Sequence, residues 1–454
     1  MTKRLYFGTD GVRGRANAEP MTAEFALRLG KAIGAFLNER GRRKPRVLIG
    51  KDTRISGYMF ETALSSGLVS TGADVLLVGP LPTPAIAFLT SGMRCDVGVV
   101  ISASHNPFED NGIKLFDENG FKFPDAVELK LESLIADENL SRYNVFGEHI
   151  GKAFRIDDAL GRYSVFAKSA FPRGKTLEGL RIVIDCANGA GYRVAPEVLT
   201  ELGAEVVAVN VHPDGVNINR DSGALSPKRM SERVLRERAD VGLALDGDAD
   251  RCILCDHTGQ IVDGDQTLAI LVGGLLESNA LPNRSVVATV MSNIGLERYL
   301  KEQGCNLLRT KVGDRYVVER MRAETHPLGG EQSGHIVQFQ HSTTGDGLMA
   351  GLSVLGRMVE KGESLHDLAS VMKKYPQRLR NIRVSEKRPF EEMKSVQTAI
   401  RDVEAELKDE GRVLVRYSGT EKLARVMVEG PTLDSVDLAC ERIRTAIQME
   451  IGDE

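Results

Sequence analysis

Apolar runs of four to six residues, each closed by Gly, Asn or Asp, alternate along most of the chain with longer stretches in which apolar positions recur at helical spacing. Runs so short and continuous read as buried strands, and their alternation with helices reads as α/β sheets. The pattern occurs three times. Its first strand is RVLIGKDTR from Arg46, RIVIDCANG from Arg181 and SVVATVMSN from Ser285. Its second, after a Gly, is ADVLLVG from Ala73, AEVVAVN from Ala204 and CNLLRTKVG from Cys305. A third segment in each repeat ends in a polar loop: SASHNP at Ser102 to Pro107, DGDADR at Asp246 to Arg251, and GEQSGH at Gly330 to His335. In open α/β sheets ligands bind beyond the carboxyl ends of the strands, so the pattern predicts three domains that each offer one loop to a shared cleft.

From about Tyr375 the pattern changes. A short strand (LRNIRV), a long charged helical stretch, the pair VLVRYSG and LARVMVEG, and an amphipathic helix from Thr432 predict a small α+β unit. The expected fold is therefore α/β: three similar α/β domains with mixed sheets and a smaller C-terminal α+β domain around a central cleft. The expected limits are 1–151, 152–257, 258–372 and 373–454. A chain of 454 residues is long enough for several cores, because single cores rarely grow past about 250–300 residues.

Composition narrows the partners. The 59 basic and 63 acidic residues give a net charge of −4 and are spread along the whole chain, with no basic arm to track a phosphate backbone, so nucleic acid is not an expected partner. The start, MTKRLYFGTDG, has two cations and no apolar core of signal-peptide length behind them. The longest apolar stretch, around Thr267 to Leu276, is about half of the ~20 residues that span a bilayer, so a soluble cytoplasmic chain with no membrane partner is expected. Six scattered cysteines read as reduced core residues, and only Cys252 and Cys255 have C-x-x-C spacing. Oligomeric state is left open, a homodimer among the options.

DGDADR carries the strongest local chemistry. Asp246, Asp248 and Asp250 follow the apolar run VGLAL, whose strand delivers three carboxylates together; they would repel one another unless a hard cation neutralised them. Oxygen-only ligands favour Mg2+, Mn2+ or Ca2+ over Zn2+, and Mg2+ leaves room for a phosphate oxygen. An EF-hand is excluded, because Arg251 stands at the sixth position and His257 at the twelfth. In SASHNP, Ser104 is the candidate nucleophile beside His105, although read alone it is an ordinary turn serine. Ser102 and Asn106 occupy the glycine positions of a G-x-S-x-G nucleophile elbow, so that reading is weak. Lys114, past a turn expected at Asn111-Gly112, returns toward the same loop as a cation or proton donor. GEQSGH supplies Glu331, Gln332, Ser333 and His335, a set suited to hydrogen bonding sugar hydroxyls. RYSGTE combines Arg416 with Ser418, Gly419 and Thr420 as a phosphate cradle. FGTDGVRG adds Arg13 in a Gly-rich loop. No P-loop or dinucleotide fingerprint is complete, since Ser169 and Val194 stand where glycines are needed.

Together, FGTDGVRG, SASHNPFEDNGIK, DGDADR, GEQSGH and RYSGTE, in this order, resemble the α-D-phosphohexomutase family, most closely its bacterial glucosamine branch. The resemblance spans nearly the whole chain. It implies four domains around a central cleft, and interconversion of glucosamine 6-phosphate and glucosamine 1-phosphate through a phosphoserine and a 1,6-bisphosphate, on the route to UDP-N-acetylglucosamine. It also implies that Ser104 carries the phosphate and that Asp246, Asp248 and Asp250 hold one Mg2+ per chain together with a phosphoserine oxygen of Ser104. Glu331 and Ser333 would contact sugar hydroxyls. Arg416, Ser418, Gly419 and Thr420 would grip the non-reacting phosphate, while Lys114, Arg13, Arg251 and His335 would line the reaction centre with His105. Rival expectations are a mutase of mannose or glucose phosphates and a dehalogenase-like phosphatase with Asp246 as nucleophile. The latter family expects Thr or Val where Asp250 stands.

Overall fold

The structure, a computed structural model, describes residues 4–8, 10–41, 44–418 and 422–453. These form two units, one of residues 1–291 and 308–371, the other of residues 292–307 and 372–454.

The first unit holds three mixed sheets, and a single order of strands recurs in all of them. In the first sheet the strands Asp74–Pro80, Arg46–Lys51 and Val97–Ile101 run parallel, and Asp110–Asp117 returns antiparallel beside Val97–Ile101. In the second, Glu205–Val209, Arg181–Asp185 and Val241–Leu245 run parallel, followed by the antiparallel Cys252–Asp256. In the third the order is Asn306–Thr310, Ser285–Thr289, Leu328–Gly330 and Ile336–Gln338, with Leu328–Gly330 parallel to Ser285–Thr289 and antiparallel to Ile336–Gln338. The strands that lead into the three loops, Val97–Ile101, Val241–Leu245 and Leu328–Gly330, are buried at every position, which is why their sequences are apolar without alternation. Each loop is therefore the tip of a hairpin. The sequence pattern identified the strand entering each loop; the return strands at 110–117 and 336–338 are the additions the structure makes.

Two local expectations change. No turn occurs at Asn111-Gly112, because both lie within the return strand Asp110–Asp117, where the Asn111 side chain accepts from the Gly112 N–H and donates to Ser56 Oγ at 2.8 Å. Arg13, expected in a loop, stands on the edge strand Val12–Arg15, which pairs with 110–117 so that Arg13 faces Gly112. Cys252 and Cys255 are three apart on one strand and so point to opposite faces: Cys255 packs with Met230 and Val234, Cys252 on the side of Gly351. Burial pushes the Cys252 thiol up to about 12 and the Cys255 thiol up to about 11, as it does for buried apolar-site thiols generally. The spacing makes no pair.

The second unit is an antiparallel three-stranded sheet, Gln377–Arg383, Leu423–Glu429 and Arg412–Tyr417, with Lys394–Leu407 and Leu433–Ile451 packed on one face. Thr432 caps the last helix through a hydroxyl that accepts from Ser435 N. The helix Ile294–Glu302 belongs to this unit as well, its cap residue Asn293 donating to the Tyr375 carbonyl at 2.9 Å. No helix among the described residues is long and apolar enough to cross a membrane.

Candidate active site

Ser104 sits three residues past the end of the strand Val97–Ile101, 2% exposed and in the left-handed region at φ 51°. Non-glycine residues are uncommon there, and such strain persists where the surroundings over-determine it. Its Oγ donates to Asp246 Oδ2 at 2.7 Å and lies 3.3 Å from His105 Nδ1. Burial, with Arg251 and Arg13 nearby, pushes the His105 imidazole down to about 4, so the ring is neutral at physiological pH.

Asp246, Asp248 and Asp250 converge at the tip of the second hairpin, each contributing one oxygen to a cluster whose members all lie within 4.8 Å of one another. Among the described residues they are the one group of this kind. All three are buried, and burial with the neighbouring Asp250 and Asp248 pushes the Asp246 carboxyl well above the carboxylate range. For Asp250 burial acts the same way but is outweighed by His335 and Lys114, which hold its carboxyl low. Asp248 Oδ2 accepts from Thr83 Oγ1 and Lys114 Nζ, both at 2.8 Å. Asp248 Oδ1 and Asp250 Oδ1 are buried with no hydrogen-bond donor. Two buried acceptors left unsatisfied within a carboxylate cluster fit an oxygen-coordinated cation.

Cations ring this cluster. Lys114 stands on the return strand of the first hairpin, opposite Val100, with Nζ 2.8 Å from Asp248, 3.2 Å from Asp10 and 3.7 Å from Asp250. Burial disfavours its charge, but Asp10 and Asp248 outweigh that and keep it an ammonium. The Arg251 N–H donates to Asp246 Oδ1 at 3.2 Å, and its guanidinium is likewise held charged against burial by Asp246 and Asp250. Arg13 pairs with Asp10. His335, at the third hairpin, places Nδ1 3.5 Å from Asp250 and Nε2 3.6 Å from Asp314. Burial lowers its affinity for a proton, yet the two carboxylates prevail and push it up to about 9. Against that, the Gly345 N–H points at Nε2 from 3.2 Å, an approach that fits a lone pair. Nδ1, facing Asp250, carries a proton in either state.

Sequence reasoning missed three members of this arrangement. Lys122 bonds to both Asp10 and Asp314, so a chain of alternating charge runs from Asp248 through Lys114, Asp10, Lys122, Asp314 and His335 to Asp250. Asp10 lay in view within FGTDG, but Lys122 and Asp314 are 192 positions apart and nothing in the sequence pairs them. Glu331 accepts from the Gly313 N–H at 3.2 Å, and Ser333 Oγ is buried without a partner. Both line a cavity of about 490 Å³ with His105, Arg251, Gln332 and Met291.

In the second unit, Arg416 lies on Arg412–Tyr417 directly across from Arg425. Burial and that second cation both lower its proton affinity, the signature of a place that favours an anion. Ser418 is buried, its N–H donating to Leu423 O at 2.8 Å and its carbonyl accepting from Lys387 Nζ at 2.7 Å. Gly419 and Thr420 lie outside the described residues.

Four family models match in order: phosphoglucomutase/phosphomannomutase alpha/beta/alpha domain I over residues 4–142, domain II over 164–259, domain III over 263–375, and the C-terminal domain over 379–446. The chain belongs to the phosphoglucomutase/phosphomannomutase family. Within that family it is 54% identical over 451 residues to a phosphoglucosamine mutase of Nitratidesulfovibrio vulgaris, covering 99% of this chain and 100% of the relative. It is also 54% identical over 460 residues to the phosphoglucosamine mutase of Anaeromyxobacter dehalogenans, with full coverage of both. Among solved structures, a phosphoglucomutase/phosphomannomutase family protein of Burkholderia thailandensis superposes with a TM-score of 0.80 at 23% identity, over 98% of this chain and 99% of that one. The N-acetylphosphoglucosamine mutase of Aspergillus fumigatus, solved with GlcNAc-6P and magnesium, gives 0.66 at 20% identity over 98% and 96%. The expected fold, three α/β domains and a C-terminal domain, is the fold of this family. Its domain I here carries Ser104 and Lys114, domain II the three aspartates, domain III Glu331, Ser333 and His335, and the C-terminal domain Arg416 and Ser418.

Proposed function

We propose that this chain is an isomerase that interconverts glucosamine 6-phosphate and glucosamine 1-phosphate by way of a phosphorylated Ser104 and a 1,6-bisphosphate. The observation that carries the reading is the hydroxyl of Ser104, held 2.7 Å from a buried carboxylate of a three-aspartate cluster with two unsatisfied oxygens. Full-length identity of 54% to curated phosphoglucosamine mutases supports the choice of sugar.

Asp246, Asp248, Asp250 and an oxygen on Ser104 are the residues that would hold Mg2+, which when bound supplies charge neutralisation for the phosphoryl oxygens. In the first half-reaction the P–O bond to Ser104 Oγ breaks as a bond forms to the free hydroxyl of the bound monophosphate; that hydroxyl gives up its proton and Oγ gains one, so no net proton is released. Lys114 and Arg251 are fixed cations and serve as charge stabilisers. Proton traffic therefore falls to the histidines, with His105, 3.3 Å from Oγ, serving the serine oxygen and His335 the sugar hydroxyl. Glu331 and Ser333 contact the sugar, and Arg13 steadies Asp10. The bisphosphate turns over, and its other phosphate returns to Ser104 with the proton restored to the product hydroxyl. Arg416, Ser418, Gly419 and Thr420 hold the phosphate that is not reacting. The enzyme acts in the cytoplasm on a small phosphosugar, with domain limits at 1–151, 152–257, 258–372 and 373–454.

Two measurements test this. Turnover on glucosamine 6-phosphate should exceed that on glucose and mannose 6-phosphates by more than tenfold, and a preference for either neutral sugar would overturn the choice. Intact-protein mass should show one phosphate that Ser104→Ala removes, with activity falling below about 0.1% of the unsubstituted rate; an active Ser104→Ala protein would remove the central claim.

A further inference from the structure

The carbonyl oxygen of Ser104 accepts two hydrogen bonds, from Arg54 Nη2 at 2.9 Å and from Asn219 Nδ2 at 2.8 Å. The same two side-chain nitrogens also serve the carbonyl of Asn106, at 2.8 and 3.1 Å. Arg54 spends its other terminal nitrogen on the carbonyls of Pro107 and Asp110, the latter at 3.1 Å. Its Nε binds Asp52 Oδ2 at 2.8 Å, and that oxygen also accepts from Ser102 Oγ at 2.6 Å. Ser102 Oγ in turn accepts from the Ser104 N–H at 2.9 Å. Arg54, Asp52 and Ser102 are wholly buried.

An arginine enclosed in protein and aimed at four main-chain carbonyls of one loop is an expensive arrangement unless the shape of that loop matters. Burying a guanidinium costs several kcal/mol of hydration, which a single carboxylate such as Asp52 offsets only in part. A further constraint acts from the acidic loop, since a Cβ added to Gly247 would lie 2.5 Å from the Ser104 oxygen and 2.8 Å from Asn219 Nδ2. Only glycine lets the metal-type loop pass this close. The left-handed serine is thus gripped at its carbonyl from two sides, and its side chain is left to point at Asp246.

We propose that Arg54 and Asn219 are positioning residues that clamp the carbonyls of Ser104 and Asn106 and so hold the phosphoryl-carrying serine in its strained turn against the acidic loop. The inference rests on Ser104 being the phosphoryl carrier. It assigns to Asn219, which comes from the family's domain II, a part in fixing a loop of domain I. A phosphoryl group arriving at Oγ brings nearly two negative charges, and a loop free to relax would swing them away from the cluster. Displacement on the order of 1 Å costs about a hundredfold in rate for groups that must meet in line.

The test uses the full-length enzyme in its phosphorylated form. Asn219 itself has a φ of 59°, so Asn219→Gly removes the side chain without straining the main chain, and Asn219→Asp keeps the shape while exchanging the donor for an oxygen. Single-turnover transfer from phospho-Ser104 to the sugar phosphate, followed by rapid quench, should slow by about tenfold to a hundredfold in Asn219→Gly and at least as much in Asn219→Asp, with KM within about threefold. Arg54→Lys, which leaves Asp52 a cation but abandons the carbonyls, should slow transfer further. A purely structural role would lower the melting temperature and leave the transfer rate of the folded fraction unchanged. Transfer by Asn219→Gly within twofold of the unsubstituted rate, or a loss seen in KM alone, overturns the clamp. Should Arg54→Lys fail to fold, the Asn219 pair still decides the matter. If the enzyme carries no phosphate on Ser104 at all, the underlying reading fails instead, and intact mass before the quench separates the two results.

Discussion

Lys122 lies between two acidic side chains, Asp10 and Asp314, and among the described residues it is the one cation that both of them contact. Removing one partner of a buried ion pair leaves the other uncompensated, typically at about 3–5 kcal/mol. Lys122→Met should therefore lower stability to urea by about 3 kcal/mol, and Lys122→Met combined with Asp314→Asn should recover part of that loss. Additive losses in the double-mutant cycle would show that the pair contributes nothing. The contrast with Ser104 is instructive about legibility. Ser104 and the three aspartates were legible because each stands in a short motif at the end of an apolar run, whereas Lys114 was singled out only by its place shortly after the SASHNP loop. Lys122 and Asp314 stand in stretches with no such punctuation, and their meaning arises only where the chain brings them together. The strained serine was equally silent, since no residue type announces a left-handed φ.

At the scale of elements, the entering strands were readable because burial on both faces makes them uniformly apolar, whereas the return strands were harder. Asp110–Asp117 mixes Asn111, Gly112 and Lys114 into a buried ladder, and their polarity imitates a loop. Asp346 shows what an element boundary can hide. It caps the helix Gly347–Lys361 by accepting from Met349 N at 2.9 Å, and accepts from Tyr163 Oη at 2.8 Å. Burial pushes its carboxyl up to about 6, above the ordinary carboxylate value of 3.8. A group whose folded pKa is raised stabilises the fold below its unfolded pKa and loses that contribution as pH rises through the folded one. The window here is about pH 4 to 6. Asp346→Asn, neutral throughout, should gain stability relative to the unsubstituted protein across that window, read from urea midpoints at pH 4.5 and 7. A difference that stays constant with pH would show that the carboxyl does not titrate there.

At the scale of the molecule, three carboxyl groups packed within 4.8 Å repel one another, a repulsion that Lys114, Arg251 and His335 offset only in part. Ligands that bind only the folded state stabilise it by mass action, about 2.7 kcal/mol when free ligand is a hundred times its Kd. Saturating Mg2+ should raise the melting temperature of the unsubstituted protein, and chelation should reverse the shift. Asp248→Asn relieves one repelling charge but also takes a carboxylate from the buried Lys114, so its diagnostic is the response to Mg2+, which should be a much smaller shift than that of the unsubstituted protein. A full response in Asp248→Asn would break the ligand assignment. That three-fold architecture was legible as a rhythm of strands and helices, while its strand order was not, since order depends on which edges pair rather than on which residues are apolar.

Ser104 and Lys114 occupy the tip and the return arm of one hairpin, tied by a ladder that sets Lys114 opposite Val100 and Ile113 opposite Ile101. The Ser104 hydroxyl and the Lys114 ammonium therefore ride on a single rigid piece. If Ser104 carries the phosphoryl group, as proposed, then whatever breathing the surrounding sheets undergo, the ammonium of Lys114 travels with it.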